Sequence, residues 1–278
     1  MRIAIASDTH LSPRTPEATA NWDTVVQYVA ATGPDLVLHL GDLSLDGASA
    51  PDDLRHARGQ LDRLAVPCHV IPGNHDIGDN PAPGVDAADV IDEERLARWH
   101  DLVGPDHFCL RGPGWTVVAI NAQLLGSGLP AEAAQWRWLE DQLRPLASGD
   151  RIALLTHKPV TAPDAELANA PHYRFVPPDA RRRLRELSAS RPFALVASGH
   201  VHQYRVIELD GTCHVWAPTT WAVLPERIQP TFGSKRSGIV TLVLDADHAV
   251  TPEWVAPDGL VQLTLHDDLP VPYPSRGR

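Results

Sequence analysis

The sequence predicts an α/β fold, with strands and helices alternating along its first quarter and a second sheet following residue 202. Three observations carry this. Short apolar runs alternate with segments of helical periodicity, Gly or Pro marks the junctions, and the chain beyond His202 becomes rich in β-branched residues separated by turns. With 278 residues and 43% hydrophobic content, one large domain with a substantial core is the simplest organisation.

Ile3 to Ser7 reads as a short buried strand. Trp22, Val25, Val26 and Val29 then recur at helical spacing until Gly33-Pro34 ends the segment. Asp35 to Leu40 makes a second strand, Asp52 to Leu64 a charged helix, and Pro67 to Ile71 a third strand closed by Pro72-Gly73. The order β-α-β-α-β implies parallel pairing, in which ligands gather at the carboxyl ends of strands. Gly78 to Asp89, with Pro81, Pro83 and Gly84, lacks a periodic apolar face and is expected to loop over that edge. Strands resume at His107 to Arg111 and Trp115 to Asn121. A helix from Ala131 to Leu143 places Trp136, Leu139 and Leu143 on one face, and Arg151 to Thr156 and Phe193 to Ser198 are further strands. Val206 to Leu209, Cys213 to Trp216 and Ser237 to Leu244 are expected to form the second sheet. The folded domain is expected to span residues 1–268, and the Pro-rich tail 269–278 to be poorly ordered or pinned to the surface.

The formal charge of −11 argues against a general basic surface, so nucleic acid is an unexpected partner. Cys68, Cys109 and Cys213 are odd in number and widely spaced, which suggests neither a disulfide framework nor a thiolate zinc site. The opening run MRIAIAS is too short for a signal-peptide core and no segment reaches membrane-span length; a soluble cytoplasmic protein is expected, with homo-oligomerisation open.

The excess in this composition is histidine, with fourteen in the chain. Five groups stand just after predicted strands: Asp8-Thr9-His10, Gly41-Asp42, Gly73-Asn74-His75-Asp76, Thr156-His157 and Gly199-His200-Val201-His202. In extended chain, residues two apart face the same side, so Asp8 with His10, and His200 with His202, can each aim two groups into one cleft. Glycines at 41, 73 and 199 let the backbone turn tightly where each strand ends. Imidazole and oxygen donors without thiolate suit Mn, Fe or Zn, and a carboxylate such as Asp42 can bridge two ions about 3.5–4 Å apart.

Together, DTH, GDL, GNHD, the lone His157 and GHVH resemble the calcineurin-like metallophosphoesterase superfamily, with ordered motifs from residue 8 to residue 202. DLVLHLGDLSLDG and GHVHQ look most similar to its class III cyclic-nucleotide phosphodiesterases and glycerophosphodiesterases. The resemblance implies a four-layer αββα sandwich with two mixed sheets flanked by helices. It further implies two divalent or mixed-valence metal ions (Mn, Fe or Zn), with Asp8, His10 and His202 on the first, Asn74, His157 and His200 on the second, and Asp42 bridging. His75 is left over and, by the resemblance, meets the phosphate and assists the leaving oxygen. The implied reaction is hydrolysis of a small phosphodiester, a cyclic nucleotide or glycerophosphodiester, by a metal-bound hydroxide; a phosphomonoesterase and a noncatalytic metal-binding scaffold are the alternatives. Leu45 stands where purple acid phosphatases carry a ligating tyrosine, and GNHD replaces the GNHE of phosphoprotein phosphatases, so neither subclass is expected.

Beyond the ligand motifs, Lys158 is expected either beside the substrate or at the surface. Asp76 is expected to orient a neighbour or to cap a turn, and Asn121 to shape a turn, with a place facing the cleft as its alternative. The stretches from Val160 to Pro178 and from Trp216 to Lys235 are candidate rims. His39, His56, His69, His100, His107, His172, His214, His248 and His266 match no motif and are read as structural or surface residues.

Overall fold

The computed structural model describes residues 1–265 apart from 113, 147–148, 164–166, 168–173 and 246–249. His172, His248, His266 and the tail 269–278 lie outside the described residues. Two sheets stack face to face, each covered by helices on its outer side, in four layers αββα.

The first sheet has the order β12 (Glu253–Val255), β11 (Ile239–Val243), β1 (Arg2–Ala6), β2 (Leu36–His39), β3 (Cys68–Val70), with the short β10 (Ala222–Val223) outside it, and β1, β2 and β3 are parallel as expected. Period-two alternation divides β1 cleanly: Ile3 and Ile5 enter the core between the sheets, while Ala4 and Ala6 pack under helices. Those helices are α1 (Pro16–Thr32), α2 (Pro51–Leu61) and α4 (Glu93–Leu102), with Trp22, Val25, Leu54 and Trp99 turned inward. Helix α1 stops at Gly33, whose left-handed φ of 54° lets its amide return to the Val29 carbonyl.

The second sheet has the order β4-β5-β6-β7-β9-β8. Its strands are β4 (Phe108–Gly112), β5 (Trp115–Ala119), β6 (Arg151–Leu155), β7 (Phe193–Ser198), β8 (Arg205–Leu209) and β9 (Thr212–Trp216). Helices α5 (Pro130–Leu143) and α6 (Pro178–Ser190) cover β5 to β7.

Two expectations are corrected. The second sheet begins at β4 rather than after His202, and β11 (Ile239–Val243) leaves it to pair antiparallel with β1, followed by β12 (Glu253–Val255). Composition identifies the β11 segment as a strand but says nothing of its partner β1, which sits more than two hundred residues away. Helices α4 and α6 were not anticipated from periodicity. Each buries only two side chains, Leu96 and Trp99 in α4 and Ala180 and Leu184 in α6, so the apolar stripe is too thin to stand out among charges.

Two unassigned histidines have plain structural work. His100 and His107 both contact Asp106, which also accepts from Asn121 Nδ2 at 2.9 Å. Although burial opposes it, these hydrogen bonds hold the Asp106 carboxyl down at about 2. Asn121 Oδ1 accepts from the Gln123 amide, which is the turn role expected of it.

Candidate metal centre

The carboxyl ends of the parallel strands of both sheets meet along one edge, and loops there deliver the motif residues. Asp8 and His10 follow β1, Asp42 follows β2, and Asn74 and His75 open the single-turn helix α3 (Asn74–Ile77) after β3. His157 follows β6, and His200 and His202 follow β7.

Their convergence does not come from extended chain. Asp8 (φ 53°), His10 (47°), Asp42 (50°), His200 (68°) and His202 (52°) all hold left-handed backbone, and among the described residues only Asp210 joins them outside glycine. Such a conformation costs on the order of 1–3 kcal/mol per residue and persists only where the surroundings enforce it. Here they do: the Asp8 amide donates to Gly41 O at 3.0 Å, the His10 amide to Asp42 O at 3.1 Å, and Thr219 Oγ1 to Asp8 O at 2.7 Å. Strain concentrated on these five side chains is the backbone signature of a site.

The side chains form two groups that share one carboxylate. Asp8, His10, Asp42 and His202 place one ligand atom each within 4.8 Å of one another, and Asp42, His157 and His200 do the same. His10 Nε2 lies 3.2 Å from His202 Nε2, and His200 Nδ1 lies 3.1 Å from His157 Nε2, which is 3.2 Å from Asn74 Oδ1. The structure thus brings all seven motif residues together, with Asp42 in the middle.

Tautomers follow from the far sides of the rings. His202 Nδ1 donates to Ala222 O at 2.7 Å and His157 Nδ1 to Leu40 O at 2.8 Å; a carbonyl only accepts, so in the neutral ring both Nε2 atoms carry lone pairs aimed inward. Imidazole lone pairs facing one another and two buried carboxylates suit cations. The donor set of four imidazoles, two carboxylates and one amide oxygen fits a pair of divalent ions of the Mn, Fe or Zn kind.

The electrostatics of the protein alone point the same way. Burial disfavours charge on His157, yet Asp42 outweighs it and raises the ring to about 9; His202 is likewise raised, by Asp8 against burial. Burial, with the neighbouring rings, drives His10 and His200 well below the usual histidine range. Without metal the carboxylates draw protons onto two imidazoles, places that cations would take.

Glycine serves mainly to make room. A side chain at Gly73 would collide with the Asp42 carboxylate, and one at Gly199 would overlap Ser7 Oγ and lie 2.5 Å from Asp8 Oδ2. Only Gly41, at φ 94°, also needs the left-handed region. Gly199→Ala is expected to lower stability by about 1–3 kcal/mol, read from a denaturant midpoint, and to weaken metal binding through the displaced Asp8.

Asp76 resolves as a loop tie. Its carboxylate accepts from the amides of Gly73 (2.9 Å), Leu43 (3.0 Å) and Ser44 (2.8 Å) and from Ser44 Oγ (2.6 Å), clamping the loop of Asn74 to that of Asp42. Burial, reinforced by the charge of Asp42, pushes it up to about 6. His39 holds the loop of Asp8 and His10, through Thr9 Oγ1 at 3.1 Å from its Nε2.

A cavity of about 180 Å³ opens over the cluster. It is lined by Asp42, Asn74, His75, His200 and His202 from the motifs, by Asp79, and by Arg174, Leu224, Ile228 and Gln229. Both candidate rims therefore contribute. Arg174 is buried, its Nη2 donating to Ile228 O at 3.0 Å. Gln203, next to His202, pins that loop by accepting from the amides of Phe232 and Gly233 at 2.8 Å and donating to Gln229 Oε1 at 2.9 Å. Lys158 meets neither expectation: it is fully buried and ion-paired with Asp79. A strand-end lysine reads as polar and therefore exposed; only the fold shows a carboxylate waiting inside.

Residues 1–204 match the calcineurin-like phosphoesterases. The chain belongs to that family. This calcineurin-like phosphoesterase is 26% identical over 174 residues to the probable glycerophosphodiester phosphodiesterase GpdQ of Arcobacter nitrofigilis, an alignment spanning 61% of this chain and 57% of that relative. The fold is similar to purple acid phosphatase PPD1 of yellow lupin (Lupinus luteus), with a TM-score of 0.62 at 17% identity over 94% of this chain and 52% of that one. It is also similar to a dimetal phosphatase from Danio rerio, with a TM-score of 0.59 at 15% identity over 91% and 95% of the two chains. The likeness to the purple acid phosphatase is one of fold: Leu45 is buried in an apolar cluster here, with only its carbonyl turned to His75. Among the described residues no helix is long and apolar enough to cross a membrane.

Proposed function

We propose that this phosphoesterase hydrolyses small phosphodiesters at a dinuclear metal site, with cyclic nucleotides and glycerophosphodiesters as the leading substrates. The observation that carries the reading is the pair of ligand groups sharing Asp42, open to a cavity that also presents a histidine belonging to neither group. The partial match to a glycerophosphodiesterase supports a diester over a monoester.

Asp8, His10 and His202 would hold one ion, Asn74, His157 and His200 the other, and Asp42 both. A bound pair supplies Lewis acidity toward the phosphoryl oxygens and an activated water. The protein's own parts do the rest. His75 Nδ1 donates to Leu45 O at 2.8 Å, which fixes the ring so that Nε2 is the atom able to hold or give a proton where the alcohol oxygen departs. Arg174, which lines the same cavity, offers charge-assisted hydrogen bonds to the phosphate or its substituent. Arg174→Gln is expected to raise KM for a diester about tenfold while changing kcat less, in line with a lost hydrogen bond to a charged group. An unchanged KM would remove Arg174 from the substrate side.

Metal-reconstituted protein should show a kcat/KM at least about tenfold higher on bis-p-nitrophenyl phosphate than on p-nitrophenyl phosphate, since a tenfold ratio needs only about 1.4 kcal/mol. Strong preference for the monoester would make it a phosphomonoesterase. Full metal content with no ester hydrolysed across a broad panel would favour a scaffold.

A further inference from the structure

The helix layer over the second sheet ends at α6, and the β8–β9 hairpin extends past it. Between them lies a cavity of about 390 Å³, which shares no lining residue with the metal-site cavity. Its apolar liners are Val160, Pro192 and Leu209, which keep some exposed surface, and the buried Leu184, Phe193 and Val196. Its polar groups are the unusual part.

Arg181 and Arg185 stand one turn apart on α6, both facing this cavity, and among the described residues neither has an ion-pair partner. Their neighbours are different: Arg182 pairs with Asp179 and Arg183 with Glu140. Like charges at this spacing repel on a helix, and burial together with Arg185 lowers the pKa of Arg181. Arg181 Nε is moreover buried without a hydrogen-bond partner. On the sheet side, Cys213 and Val215 enter the inter-sheet core, so His214 between them faces the cavity. His214 is only 7% exposed, and its imidazole makes no hydrogen bond among the described residues. Exposed Asp210, at the hairpin turn, adds one negative charge at the mouth.

Buried polar groups without partners are costly, and two arginines turned toward one cavity wall concentrate positive charge. We propose that this cavity is a second ligand site, for a small amphiphilic anion whose oxyanion head is held by Arg181 and Arg185. Its apolar body lies on Val160, Pro192 and Leu209, and His214 hydrogen-bonds to it. The volume falls in the range of small-molecule pockets.

Indole-3-acetate and its neutral isostere indole-3-acetamide are suitable probes, titrated calorimetrically into metal-loaded protein in a phosphate-free buffer, with hydrolysis of bis-p-nitrophenyl phosphate followed alongside to report any binding at the metal site. The acid should bind once per chain and at least tenfold more tightly than the amide. The double variant Arg181→Gln/Arg185→Gln, checked for an intact fold by circular dichroism, should lose at least tenfold in affinity for the acid and little for the amide. Ala189→Trp, on the exposed side of the cavity, should weaken both. Equal affinity for acid and amide, no binding of either at millimolar concentration, or undiminished binding to the double variant would each overturn the site.

Discussion

Asp42→Asn is expected to lower phosphoesterase turnover by at least about 1,000-fold, the consequence of removing roughly 4 kcal/mol of metal-dependent stabilisation. Metal content should drop from two ions per chain to one or fewer, as measured by atomic emission. Asp42 is the only side chain common to both ligand groups, with Oδ2 3.4 Å from His157 Nε2 and 3.8 Å from His10 Nε2. Its other oxygen accepts from the His75 amide at 2.9 Å. Asparagine keeps that acceptor and the side-chain volume but gives up the charge, so the fold survives while the bridge does not. Two tightly held ions in the variant would show that each group holds its metal without help from Asp42.

His75→Ala should have the opposite profile: two metals retained and kcat lowered by about 10²–10⁴, the usual range for a lost general acid. His75 belongs to neither group of ligand atoms, lines the cavity, and packs edge-on against His10 with ring centroids 4.7 Å apart. A substrate with a good leaving group, such as p-nitrophenolate, needs less help from a proton donor, so the deficit should shrink as the leaving alcohol becomes more acidic. Loss of both metals, or a deficit independent of the leaving group, would place His75 among the structural residues.

Much of this site was legible in the sequence because its chemistry is local. Asp8-Thr9-His10 and Gly199-His200-Val201-His202 each put two donors and their turn within four residues, and each group follows a strand whose apolar run is itself readable. The reason the donors converge was not legible. Period-two alternation suggested extended chain, whereas left-handed backbone at five of the donors sets their directions. Gly73 and Gly199 were read as turn residues, but their role is to leave space beside Asp42 and Asp8, which belong to other loops.

The rims show the same division. Lys158, adjacent to His157, was a candidate substrate cation and is instead buried against Asp79. Arg174, one residue among several in an uneventful loop, lines the cavity.

By itself the sequence determined the α/β class, the family motifs and the imidazole and oxygen donors they carry, while the part given to His75 came from the family resemblance. Class, motifs and donors depend on residue type and spacing over a few positions, where the chain's covalent geometry leaves little freedom. Only the tertiary structure decided that β11 returns to β1, that Arg174 rather than Lys158 faces the site, and that Arg181, Arg185 and His214 share a cavity. Those facts rest on contacts between segments far apart in the chain, chosen by burial and by the pairing of buried charges, which no local pattern encodes.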